Sequence, residues 1–212
     1  MPINKEKHRV YARAAGTMYI ICMITSIVGG LLIQKALESQ TLVQALERNL
    51  NLLIIGNIFE FINAFGVIII AISFYHMLKI QKPALSTTYL ITRSIEASFC
   101  IGAAFLPILS LLSIHNTGLD AKQKTILITF LSLSRSSFFD YLYPILFTFA
   151  GILFYSLLYT TKQLPRYLSI WGLLSLIGVL MSILVPDIKM IPGLFIIANE
   201  LYLGFYLLLK SK

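Results

Sequence analysis

Charge is scarce in this 212-residue chain. Asp, Glu, Lys and Arg make up 12% of it, about half the share of an ordinary soluble domain. A water-soluble protein of this length could not cover so much apolar surface. Cysteine is nearly absent: Cys22 and Cys100 lie in separate apolar runs, and no CxxC or Cys/His ligand spacing accompanies them. That excludes a dithiol redox motif and a zinc site, and leaves both as small packing residues. HExxH, GxSxG, GxxxxGK[ST] and GxGxxG are all missing. The histidines are His8, His76 and His115, too dispersed to converge. Ser134, Ser136 and Ser137 have no base nearby. No catalytic residue, metal ligand or cofactor is therefore assigned, and the expectation is a non-enzymatic protein.

The net charge of +8 does not indicate a nucleic-acid partner. The basic residues are spread through short connections and ends, with no compact basic domain. Lys and Arg beside apolar runs are what the positive-inside rule predicts.

Long apolar runs are what the chain does have: 58% of residues are hydrophobic and the mean hydropathy is +0.83. A helix crosses a hydrocarbon core of about 30 Å with about 20 mostly apolar residues. Six such runs occupy roughly 14–34, 51–78, 89–114, 138–160, 167–186 and 192–209. The reading is an all-α, polytopic transmembrane bundle that forms a single integral membrane domain over 1–212, with the lipid bilayer as its partner. The basic N-terminal stretch resembles a signal peptide, but its apolar run exceeds the usual core length, so it reads as an uncleaved first span. Lys and Arg in the connections favour both termini in the cytoplasm.

Two segments have alternatives. Residues 36–50 place Leu42, Val43, Leu46 and Leu50 at helical spacing, which suits an amphipathic helix on the outer interface. Residues 125–137 are either a separate interfacial helix or an outward extension of span four. Arg135 and Asp140 are expected at that interface, in solvent. Pro83, Pro165, Pro186 and Pro192 punctuate the short connections. Tyr141, Tyr143, Tyr155, Tyr159, Tyr167 and Trp171 are expected to form an interfacial aromatic belt.

Within the spans, polar and small residues recur at intervals of three and four, and should turn away from lipid. Span three carries Arg93, Glu96, Ala97 and Cys100; span two carries Asn57, Glu60 and Asn63; span six carries Asn199, Glu200 and Gly204. A charge at mid-bilayer costs about 2.5–3.5 kcal/mol or more. Glu60, Arg93, Glu96 and Glu200 should then be paired, protonated or facing water. With Asn57, Asn63 and Asn199 they form the expected intramembrane cluster, a candidate ligand or proton site. Arg93 and Glu96 can touch on one helix, and Glu60 or Glu200 could join them from a neighbouring span. The same cluster serves interhelical pairing, a site for a small or lipid ligand, or a small proton-coupled transporter. Oligomeric state is not legible.

Four stretches occur in a familiar order: ARAAGTMY at 12–19, TRSIEA at 92–97, LPRYLSIWGLLSLIG at 164–178 and NELYLGFYLLLKS at 199–211. Together they resemble a bacterial family of membrane proteins known as domain of unknown function 4386. The resemblance implies a multi-pass protein of the bacterial cytoplasmic membrane with about six spans, and implies no activity. The family's recurring polar positions would match Arg13, Arg93, Glu96, Arg166 and Glu200. Glu60 stands where the family has an acid, often Asp.

Overall fold

The structure is a computed structural model and describes residues 5–37, 48–115, 118–188 and 190–210. Seven α-helices account for most of it: α1 (Lys5–Leu37), α2 (Leu50–Leu78), α3 (Pro83–His115), α4 (Ala121–Ser137), α5 (Tyr143–Thr161), α6 (Arg166–Leu184) and α7 (Met190–Lys210). Among the described residues there is no strand. Six continuous helical stretches are long and apolar enough to span a bilayer. Most of the 36–50 segment lies outside the described residues.

The sixfold count holds because α4 and α5 are one unbroken rod. The five residues Phe138–Leu142 form a π-turn between them, with the Tyr143 N–H donating to the Phe138 carbonyl. Pro144 follows immediately and brings no backbone N–H to the ladder, so a local change of pitch is the expected accommodation. The Ala121–Thr161 rod has 41 residues, about 60 Å of helix. That is about twice the hydrocarbon thickness, and residues 125–137 continue span four rather than forming a separate helix. The rod starts at a capping box: Asp120 Oδ1 accepts from the Gln123 N–H at 2.7 Å, and Gln123 Oε1 accepts from the Asp120 N–H at 3.0 Å. Lys124 then donates to the Ile114 carbonyl at 2.7 Å, capping the end of α3.

Each spanning helix packs on the spans before and after it in the chain, and α1 packs on α7, closing a ring. Small residues allow the closest approaches. A Cβ on Gly16 of α1 would lie 2.8 Å from the Gly204 carbonyl of α7, so two glycines meet at the seam of the ring. The outward faces are large and apolar: Ile58, Phe65 and Ile72 on α2, Ile91, Ile95 and Phe99 on α3, Leu174 and Ile177 on α6. They suit acyl chains. The inward faces pack solidly in the half that holds the chain ends, around Ala15, Phe74, Leu78, Tyr89, Phe154, Leu158 and Leu203. A smaller apolar cluster of Ile33, Ala36, Leu53 and Ile128 joins α1, α2 and α4 at the opposite end. Between these two clusters the ring is not filled.

Two tyrosines depart from the expected aromatic belt. Tyr155 is 2% exposed and Tyr143 lines the interior. Tyr159 and Tyr167 are exposed, and Tyr167 shares a hydroxyl contact of 2.9 Å with Tyr202.

Candidate functional site

The unfilled centre is a chamber of about 430 Å³ lined by all six spans. Its walls are mostly apolar: Ile27, Val67, Ile70, Phe147, Val179, Ile196 and others. Into them project Asn63 from α2, Arg93 and Glu96 from α3, Tyr143 from α5, Ser182 from α6 and Glu200 from α7. The ordering along each helix is consistent. Residues on the chain-end side, such as Tyr89, Phe154 and Leu203, belong to the packed core. Residues toward the opposite end open into a second cavity of about 760 Å³. This vestibule is lined by Gln34, Glu60, Cys100, Ser132, Arg135, Ser136 and Asp140, and shares Ser26, Asn63, Phe139 and Tyr143 with the chamber. The two cavities therefore adjoin across that common wall.

Arg93 and Glu96 form the charged floor of the chamber. One guanidinium nitrogen, Nη1, donates to both Glu96 carboxylate oxygens at 2.9 Å. The side chains are 6% and 2% exposed, and the guanidinium lies 5.2 Å from the Phe147 ring centre and 6.0 Å from that of Tyr89. The i, i+3 spacing makes the pair, and the rings cover it. Glu200 lines the same chamber, yet among the described residues it makes no ion pair or side-chain hydrogen bond.

Glu60 is paired elsewhere. Its carboxylate accepts from Arg135 Nη2 of α4 in the vestibule, with side chains 13% and 11% exposed. The Arg135 guanidinium also sits 4.5 Å from the Phe139 ring centre. This corrects the expectation that Arg135 is a solvated interfacial residue. Because α4 is continuous with span four, Arg135 lines the vestibule. One oxygen of Glu60 and one nitrogen of Arg135 have no hydrogen-bond partner among the described residues.

The family described as Domain of unknown function (DUF4386) matches residues 14–211. The chain belongs to that family. No curated protein and no solved structure matches it.

The seven residues expected to form one DUF4386 cluster fall into three groups. Arg93, Glu96, Glu200 and Asn63 meet at the chamber, and Asn63 also borders the vestibule with Glu60. Asn57 and Asn199 border neither cavity. Asn57 is 3% exposed and its Oδ1 has no partner among the described residues. Asn199 is fully buried and links helices: the Tyr155 hydroxyl donates to its Oδ1 at 2.7 Å, and its Nδ2 donates to the Leu168 carbonyl at 3.1 Å. Successive residues on a helix point about 100° apart, so Asn199 faces α5 and α6 while Glu200 faces the chamber.

Sequence reasoning missed Phe139 and Arg135 as cavity residues. The capping box at Asp120 was the available signal. It sets the start of a helix that runs without Gly or Pro to Tyr143. Continuing that helix from span four inward places 132, 135, 136, 139 and 143 along one face.

Proposed function

We propose that this membrane protein binds a small ligand inside its six-helix ring. One observation carries the reading: a mostly apolar chamber, within the size range of small-molecule sites, to which all six spans contribute a few convergent polar groups. Helices that packed only for stability would be expected to fill that space. The adjoining vestibule supports entry from the end opposite the chain ends.

We place the protein in a bacterial cytoplasmic membrane, as its resemblance to DUF4386 implies, and the distribution of Lys and Arg supports both termini in the cytoplasm. The vestibule would then face outward. We read the protein as non-enzymatic. The hydroxyls of Ser134 and Ser136 bond back to Phe130 and Ser132 of their own helix, and His76 stacks on Tyr11 with ring centres 4.7 Å apart.

Gly193 offers a direct test, because it lines the chamber and a Cβ there meets nothing within 4 Å. Native mass spectrometry of the protein released from its own membranes should show a bound small molecule or lipid. Gly193→Phe should lose it without lowering the melting temperature. A wild type without bound mass, or a variant that keeps it, overturns the reading.

Glu200 favours a second reading, a proton-coupled carrier, because a carboxyl group without a counter-ion can exchange a proton for a substrate. In proteoliposomes that reading expects pH-gradient-driven uptake that Glu200→Gln abolishes while the fold is retained. Substitutions that only lower thermal stability would count against it.

A further inference from the structure

The charges around the chamber do not balance. Three side chains that ordinarily carry charge line it, one guanidinium and two carboxyl groups: Arg93, Glu96 and Glu200. Both oxygens of Glu96 are engaged by Arg93, and the rings of Phe147 and Tyr89 flank that guanidinium. Arg93 and Glu96 thus largely answer each other. Glu200 is left over, on the opposite side of the ring order from α3, with no ion pair among the described residues. The chamber that Glu200 lines also presents aromatic side chains not engaged by Arg93: Tyr19 of α1, and Phe139 and Tyr143 of the span-four rod.

A surplus carboxyl group and aromatic rings lining one mostly apolar chamber are recognition chemistry for an organic ammonium group. The carboxylate supplies the counter-charge, the ring faces attract the cation by their quadrupole, and the apolar wall takes the rest of the molecule. A bare metal ion suits the site poorly. Hard cations need several oxygen ligands to replace their water, and among the described residues no group of three or more His, Cys, Asp or Glu side chains is placed to hold one. An anion would meet the uncompensated acid directly.

We infer that the chamber takes a small organic monocation, an amine or quaternary ammonium compound, with its charged head at Glu200 and its apolar body against Ile27, Val67 and Ile196. The assignment rests on the reading of the chamber as a ligand site. It goes further by fixing the charge of the ligand and the residue that answers it.

Three soluble probes with the same number of non-hydrogen atoms test it: benzyltrimethylammonium, neutral N,N-dimethylbenzamide and anionic 3-phenylpropionate. Their affinities are measured by calorimetry on the full chain in lipid nanodiscs, against empty nanodiscs. The cation should bind at least tenfold more tightly than the amide, and the anion should not bind. Glu200→Gln should bring the cation down to the level of the amide and leave the amide unchanged. Glu200→Asp, which keeps the charge, should retain part of the preference and guards against a folding defect. Equal binding of cation and amide, or preference for the anion, overturns the cation assignment while leaving a ligand chamber in place. If none of the three binds, the assignment falls too. The reading of the chamber then rests on whether Gly193→Phe expels a co-purified molecule.

Discussion

Tyr155 of α5 and Asn199 of α7 are joined by a hydroxyl-to-carbonyl hydrogen bond of 2.7 Å inside the packed half of the ring. Because the Asn199 amide also donates to the Leu168 carbonyl of α6, one asparagine connects three helices. Tyr155→Phe would leave the Asn199 oxygen buried without its partner, at a cost of about 1–3 kcal/mol. The expected result is a lower melting temperature in detergent with ligand binding at the chamber retained. A variant as stable as wild type would show that this contact contributes nothing.

The same tyrosine depends on a missing side chain. A Cβ on Gly172 of α6 would lie 2.2 Å from the Tyr155 ring, whereas one on Gly102 of α3 would meet nothing within 4 Å. Gly172→Ala must therefore displace the ring or separate α5 from α6. Overpacking of this kind costs typically about 1–3 kcal/mol. Gly102→Ala should be neutral or slightly stabilising, since alanine is the better helix former. Thermal melts of the two variants side by side check the contrast, and equal effects would refute it.

Glu60 and Arg135 form a pair across the vestibule, neither more than 13% exposed. Removing one charge strands the other in a poorly solvated site, which is more damaging than removing both. Glu60→Gln and Arg135→Gln should each destabilise the protein, and the double variant should recover part of the loss. A coupling of about 0.5–3 kcal/mol is expected from the double-mutant cycle. Additive effects would mean that the two side chains do not act as a pair in the membrane.

Orientation can be read chemically. In a background with Cys22→Ala and Cys100→Ala, single cysteines at Arg9, Lys82 or Lys210 should resist a membrane-impermeant thiol reagent in intact cells. One at Lys122, before the start of span four proper, should react. The reverse pattern would invert the proposed topology.

Much of the architecture was legible because hydrocarbon is a demanding solvent. Runs such as 51–78 and 89–114 have few other uses, and the outward Ile and Phe faces follow from the same demand. The Arg93–Glu96 pair was legible too, since both partners share one helix. The partner of Glu60 was not. Arg135 is distant in sequence, and its location depends on α4 continuing through a π-turn, which apolar periodicity does not mark. Asn199 was misplaced for a simpler reason. Depth along a helix placed it with Glu200, but azimuth separates adjacent residues, and only the packing of α5 and α6 determines which of the two turns toward the centre.

The closure of the ring by Gly16 and Gly204 has a consequence for biogenesis. As helices leave the translocation machinery in order, the first five spans can assemble only into an open arc, its charged inner rim unsheltered. The last span delivers both the seal and the final acid. A ribosome that stops before residue 190 releases an open arc of five spans, in which Arg93 and Glu96 lack the cover of α7.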